Sequence, residues 1–236
     1  MRPSKALTVK RVFFRRGAIT LGILITGIFS IILAILAWFG ANTGNFIVLL
    51  GKEGFQKGII LSEQKDFSTE EPRLYATIPE GVEFDNITFT DININDVKQT
   101  DGYFFDEEYS TLFLGYTYYL KNNGESVVDI TYRIEITEVY RNADEAIRVM
   151  LIEDDEIERI FQKADDPPQV YIGIPETINF VDEKTVYVGT ITDFKPGDVK
   201  KFSVIIWLEG QDNDCIDDLQ RGMVKIRMRF DIDEDE

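Results

Sequence analysis

Histidine is absent from this chain, and cysteine occurs once, at Cys215. Without histidine, neither a Ser-His-Asp or Cys-His catalytic arrangement nor a zinc site with histidine ligands can form. One cysteine can make neither an internal disulfide nor a multi-thiolate metal centre. The sequence also lacks a G-x-S-x-G elbow, an H-E-x-x-H motif, a P-loop and a dinucleotide-binding glycine fingerprint. It therefore predicts a protein that is not an enzyme.

Basic residues are scarce: 25 Lys and Arg stand against 42 Asp and Glu, which gives a formal net charge of −17. So acidic a chain would be repelled by the phosphates of a nucleic acid, which argues against such a partner. The hydrophobic content of 44% and the aromatic content of 12% are too high for a disordered acidic chain. A packed core is therefore expected.

Charge is missing altogether from residues 17–51, which follow a basic arm at 1–16. As a helix, residues 18–40 would rise about 35 Å, enough for a hydrocarbon core of about 30 Å. A signal sequence remains the alternative, but its apolar region is typically shorter and the best cleavage site, after Ala37, is a poor match. We expect a transmembrane helix or uncleaved signal anchor at 17–41. The positive-inside rule then places the arm in the cytoplasm and residues 42–236 outside it, as one domain of a single-pass cell-membrane protein.

Alternation of apolar and polar residues dominates the predicted external domain. It is clearest at 130–136, 202–208 and 224–232, and it is typical of strands with one buried face. Further strands are predicted within 44–62, where a turn should join two of them, and at 83–95, 111–121, 169–174 and 185–192. Turn signals at 122–124, 195–198 and 101–102 fit hairpins. The pattern predicts a mainly β fold, an antiparallel β-sandwich of jelly-roll or immunoglobulin-like type.

Two segments are harder to assign. Residues 142–163 fit either a helix or a short helical turn at 142–146 followed by a hairpin of 147–152 with 157–163, and we favour the hairpin. In segment 83–95 the alternation changes phase between Phe89 and Ile92, which indicates a bulge or bend.

The densest group of oxygen ligands lies at 209–218. Calcium binds such hard oxygens, and weak sites can use it outside the cell. The EF-hand template is not met, so a solvated acidic loop with local side-chain to backbone hydrogen bonds is the favoured interpretation. A calcium loop is the alternative, and no other cofactor is expected; its candidate ligands are Glu209, Asp212, Asp214, Asp217 and Asp218. The lone Cys215 lies among these acids, which disfavour its thiolate, so we expect a buried or half-buried small residue rather than a nucleophile.

The basic arm is followed by the apolar segment, by Trp38-Phe39 and by the NTGNF sequence that ends at Phe46, and a YYLKNNGESVVD segment lies further on, at 118–129. In this order of features the chain resembles the TasA/camelysin class of Gram-positive surface proteins. Segment 191–215 resembles envelope proteins of Firmicutes-like bacteria. This implies a secreted or anchored strand-rich sandwich that assembles or adheres. The metalloprotease activity described for camelysin is not carried over, because the chain has no histidine.

Two functions follow as hypotheses. The first is a non-enzymatic, membrane-anchored envelope protein that presents an acidic sandwich for self-assembly, adhesion or binding of other envelope proteins. The second is an extracellular hydrolase that uses two carboxylates and acts on glycans, and it would require a groove with two facing acids. A calcium-dependent binding module is compatible with the first.

Overall fold

The computed structural model describes residues 26–28, 30–31, 45–76, 86–105, 113–165, 169–216, 219 and 222–232. The chain divides into two units, 1–43 and 44–236. In the first unit, the described residues 26–28 and 30–31 are helical. No helix within the described residues is both long and apolar enough to cross a membrane. The predicted basic arm and most of the predicted membrane helix lie outside the described residues, and both stay predictions.

The second unit is mainly β, as the alternation predicts. Two short helices, α1 (Lys52–Gln56) and α2 (Ile94–Gln99), accompany the strands. The strands in chain order are β1 (Phe46–Leu50), β2 (Ile59–Ser62), β3 (Arg73–Ala76), β4 (Gly102–Tyr103), β5 (Phe113–Asn122), β6 (Val128–Tyr140), β7 (Ile147–Glu153), β8 (Ile157–Gln162), β9 (Thr177–Asn179), β10 (Thr185–Phe194), β11 (Val199–Leu208) and β12 (Met223–Ile232).

The strands form two sheets. The first has the order β10-β6-β12-β1-β3, and the second has the order β2-β5-β11-β7-β8-β9, with β4 also paired to β5. Most pairs are antiparallel, but β1 runs parallel to β12 and β8 runs parallel to β9. The prediction of an antiparallel sandwich is therefore confirmed only in part, because the fold is mainly β but both sheets are mixed. Alternation within single strands records which face is buried and carries no information on the direction of the neighbouring strand.

The main core lies between the two sheets, where the inward residues of both pack together. Tyr132 and Phe230 from the first sheet meet Tyr118 and Phe202 from the second, with ring centroids 5.3 to 6.3 Å apart. All four side chains are fully buried. Tyr118, and with it Tyr116, therefore lies in the core.

The second sheet is covered on its other face as well, because residues 86–105 fold across it. Ile87, Ile92 and Val97 pack there against Ile205 and Trp207 in a second apolar cluster. The prediction of a strand at 83–95 is wrong for its described part, residues 86–95, which contain one isolated bridge, a 3-10 turn at Phe89–Asp91 and the start of α2. Of the two alternatives for the phase change near Phe89, the turn agrees with a bend and not with a bulge.

Three smaller predictions also differ from the structure. The two strands within 44–62 are joined by the helix α1 rather than by a simple turn. Residues 169–174 form no strand, and Val170 and Ile172 are 95% and 83% exposed. At 142–146 the chain makes a turn with positive φ at Arg141 and Asn142 instead of a helical turn. The favoured hairpin after it is confirmed as β7 and β8.

Candidate functional site

The acidic loop after β11 is built around buried carboxylates rather than solvated ones. Glu209 is fully buried, and both of its oxygens accept hydrogen bonds. The indole Nε1 of Trp207 donates to Oε2 at 3.0 Å, and the backbone N–H of Gln211 donates to Oε1 at 3.1 Å. Because a buried polar group must be paired, these bonds are the reason that the carboxylate is tolerated there. Neither oxygen of Glu209 is directed to solvent.

Asp212 forms the centre of this loop, where it makes an ion pair with Arg148 of β7. The Arg148 Nη2 donates to Oδ2 at 2.8 Å, and both side chains are completely inaccessible to solvent. The Tyr171 hydroxyl donates to Asp165 Oδ2 at 2.8 Å and lies 3.3 Å from Asp212 Oδ2. The guanidinium carbon of Arg148 lies 4.8 Å from the centroid of the Tyr171 ring. The backbone N–H of Asp214 donates to Oδ1 at 2.9 Å. Both oxygens of Asp212 are therefore engaged by protein donors.

Strand pairing explains how distant residues form this cluster. Arg148 lies opposite Trp207 in the β7 and β11 register, so the two occupy one row on the outer face of the second sheet. The Glu209 N–H donates to the carbonyl of Ala146 at 2.9 Å, which continues the pairing of β11 with β7 by one residue. The chain turns directly after it, at 210–211. The cluster is thus a buried polar support beneath the loop.

The remaining candidate calcium ligands are placed differently. Asp214 is exposed, and its pKa is raised by desolvation and by the nearby charges of Asp212, Glu145 and Asp165. Asp217 and Asp218 lie outside the described residues. Within the described part of the chain, no group of three or more acidic or thiol side chains is arranged to hold a metal ion. A calcium site in this loop stays a prediction.

Cys215 is half-buried beside the same loop. Burial is the main factor that raises the pKa of its thiol, and the negative charges of Asp212 and Glu209 act in the same direction. The Asn86 side-chain amide donates to its sulfur at 3.7 Å. The raised pKa agrees with the expectation of a thiol that is a poor nucleophile.

A polar groove of about 710 Å³ lies at another part of the second sheet, and sequence analysis did not anticipate it. Two acids line it. The Tyr119 hydroxyl donates to Asp101 Oδ1 at 2.7 Å, and the Lys201 ammonium lies 2.9 Å from Asp155. Burial is the main factor that raises the pKa of Tyr119, and the hydrogen bond to Asp101 raises it further. The lining residues come from separate segments of the chain and are Lys65, Asn95, Lys98, Gln99, Asp101, Tyr119, Asp155 and Lys201.

The longest sheet edge is formed by β10, which pairs with β6 on one side. No other strand within the described residues pairs with its second side. The other strands at sheet edges have four residues or fewer, whereas β10 has ten. Residues 185–192 of this edge contain no charged residue and no proline. Regular pairing with β6 runs from Tyr187 to Ile191, between two register shifts.

This edge differs from most natural edges, which are protected from other chains by charges, proline or short length. The register shifts limit the regular part of β10 but leave five consecutive residues in regular extended pairing. Val188 is 36% exposed, and Thr190 is also exposed. The strand can therefore accept a further strand through backbone hydrogen bonds.

Comparison with known proteins gives no match, since no family model, no curated protein and no solved structure matches this chain.

Proposed function

We propose that this chain is a membrane-anchored bacterial envelope protein that is not an enzyme and presents an acidic, jelly-roll or immunoglobulin-like sandwich for assembly, adhesion or partner binding. The observation that carries the proposal is the long edge of β10, whose residues 185–192 carry no charge. Strand addition to such an edge joins two chains through main-chain hydrogen bonds and requires no catalytic group. The uncharged segment 17–51 supports the anchor, and the basic arm supports the orientation.

A second copy of the chain is the simplest partner for β10. Two identical edges can pair antiparallel about a twofold axis, so that each copy contributes the same residues. The outward side chains of Val188 and Thr190 would then lie close to those of the other copy. A lysine at both positions would place like charges together and would also imitate the protection that natural edges use.

The double variant Val188→Lys/Thr190→Lys is expected to weaken self-association by about tenfold or more, because like charges brought together at an interface cost several kcal/mol. The measurement is light scattering of the full-length chain in a non-ionic detergent over a range of concentrations. Val199→Lys is the matched control, since Val199 is also exposed, at 45%, but lies on the second sheet, where it pairs with Lys121 of β5. A wild-type chain that stays monomeric at every concentration would contradict self-association through β10.

A glycan hydrolase is the second candidate, and the polar groove favours it because two acids, Asp101 and Asp155, line the same cavity. Hydrolysis of a glycosidic bond uses one carboxyl group as acid and a second as base or nucleophile. Under this alternative, Asp101→Asn and Asp155→Asn should each reduce the release of reducing ends from bacterial glycans by about a hundredfold or more. Lys65→Gln, at the rim of the same groove, is the control. Equal activity of all three variants and the wild type, or no activity in any, would count against a hydrolase.

A further inference from the structure

The polar groove on the second sheet contains free amide groups beside its acids. Three of its lining residues, Asn95, Lys98 and Gln99, come from α2. Asn95 and Gln99 are four residues apart, so they are neighbours on one face of the helix. Both side chains are exposed, and neither forms a hydrogen bond with another described residue. Each amide therefore presents a free N–H donor group and a free carbonyl acceptor to the groove.

The helix that carries these amides is held on the second sheet by contacts of its own. Val97 is fully buried, and the Thr117 hydroxyl of β5 donates to its carbonyl at 2.9 Å. The Lys201 ammonium of β11 donates to the carbonyl of Lys98 at 2.6 Å. Side chains of two strands thus bind carbonyl groups that a helix end would otherwise leave without partners. A ligand of the two amides does not have to order the helix first, which favours binding.

Two of the three ammonium groups that line the groove are paired with acids. The Lys201 ammonium lies 2.9 Å from each oxygen of Asp155. Lys98 forms an ion pair with Glu158. The third ammonium, that of Lys65, is exposed and has no ion-pair partner among the described residues. Both oxygens of Asp155 are therefore engaged by the protein, and Lys65 carries the one uncompensated positive charge of the lining residues.

Asp101 supplies a carboxylate oxygen that the protein does not use. The Tyr119 hydroxyl donates to Oδ1 at 2.7 Å and orients the group, whereas Oδ2 accepts no hydrogen bond from a described residue. The negative charge of Asp101 is opposite in sign to the charge of Lys65, so the uncompensated charges of the lining residues sum to zero. The groove thus offers a ligand two amides and one carboxylate oxygen, without an excess of charge.

These groups suit a ligand rich in hydroxyl groups. No aliphatic side chain lines the groove among the described residues, and its aromatic residue, Tyr119, is only 4% exposed. An apolar molecule, or the apolar side chains of a peptide, would find little surface to cover there. A hydroxyl group both donates and accepts hydrogen bonds, so several of them on one ring match amides that do the same and a carboxylate that accepts. An uncharged sugar is a ligand of this kind.

We propose that this groove binds an uncharged oligosaccharide. The amides of Asn95 and Gln99 bind neighbouring hydroxyl groups, and the free oxygen of Asp101 accepts from a further one. The groove volume of about 710 Å³ lies within the range of about 300 to 1,000 Å³ of small-molecule sites. The inference names a ligand for the adhesive role in the proposed function, but it depends neither on β10 nor on the anchor, and it requires no cleavage of the sugar.

The test begins with an array of hexasaccharides and the full-length chain, labelled at its C-terminus. The detergent is non-ionic and has no sugar head group. The uncharged probes are hexasaccharides of glucose, mannose, galactose and N-acetylglucosamine, and the charged probe is that of galacturonate. We expect binding to at least one uncharged probe and weaker binding to galacturonate. Absence of binding to every uncharged probe, or a preference for galacturonate, would overturn the proposal.

Variants then assign the binding to the groove, by calorimetric titration with the uncharged hexasaccharide that binds most strongly to the array. Asn95→Ala/Gln99→Ala is expected to weaken binding by about tenfold or more, because two groups that bind hydroxyls are lost. Both positions are exposed on a helix, where alanine is favourable, so the fold is retained. Lys65→Gln is the matched control, and it should leave the affinity unchanged because the probe has no charge.

Three results would contradict this assignment. Unchanged affinity of Asn95→Ala/Gln99→Ala would show that the sugar binds elsewhere. A loss of affinity in Lys65→Gln as large as that in the double variant would show that the amides are not the specific contacts. Shortened hexasaccharide after incubation with the wild type would show that the groove cleaves its ligand, and the assignment to binding alone would be wrong.

Discussion

Replacing Asp212 with alanine is expected to lower the free energy of unfolding by about 3 to 5 kcal/mol, because it leaves the buried guanidinium of Arg148 without its ion-pair partner. Both side chains of the pair are completely inaccessible to solvent, so water cannot replace the lost carboxylate without opening the loop. The backbone N–H of Asp214 also loses its acceptor. Urea denaturation followed by the fluorescence of the buried Trp207, in a Trp38→Phe background, measures the change.

Two control variants separate the effect of the buried charge from other causes. Asp214→Ala removes an exposed acid two residues away, and it should change stability by less than about 0.5 kcal/mol. The double variant Arg148→Met/Asp212→Leu replaces the pair by apolar side chains of similar size, and it should recover most of the loss. If Asp212→Ala is as stable as the wild type, the Arg148 cluster is not the support of the loop.

The regular part of the fold could be predicted where one face of a strand meets solvent. In β6 and β12 the apolar residues alternate with polar ones, and these strands lie where the sequence places them. Alternation is informative there because one side of the first sheet is exposed. It fails for 86–95, whose apolar residues cover the second sheet through a 3-10 turn and a helix rather than by pairing in a ladder. It also fails for 169–174, because an apolar segment requires a partner strand and none of the described strands provides one.

The buried polar cluster could be predicted only in part. The composition of 209–218 indicates a special loop, but it does not distinguish a solvated acid from one that is paired inside the protein. Whether the acid is solvated or paired depends on Arg148, which lies on another strand, β7. A signal was present: in the sequence IRVMLIE of β7, Arg148 interrupts a nearly continuous apolar run, and a run of this kind is typical of a strand buried on both faces. A charged residue inside such a strand needs a buried partner of opposite charge.

Phe202 joins the two sheets, and its replacement by alanine is expected to lower the free energy of unfolding by about 3 to 5 kcal/mol. The Phe202 ring stacks on Tyr118 of its own sheet, with centroids 5.6 Å apart. Across the core it contacts Tyr132 and Phe230 of the first sheet, at 5.6 and 5.3 Å. Removing the ring deletes contacts on both sides of the sandwich and leaves a cavity between them. Urea denaturation in the same Trp38→Phe background measures the loss.

The size and the cooperativity of this effect can be tested together. Phe202→Leu keeps most of the buried volume and should cost about 1 to 1.5 kcal/mol, whereas Val199→Ala, at an exposed position of the same strand, should change stability by less than about 0.5 kcal/mol. Trp207 fluorescence reports on the second sheet, and far-ultraviolet circular dichroism reports on both sheets. Because Phe202 contacts both sheets, Phe202→Ala should lower the midpoint of the urea transition by the same amount for the two probes. Separate midpoints for the two probes would mean that the sheets unfold independently, and the interface between them would then not be the core that stabilises the domain.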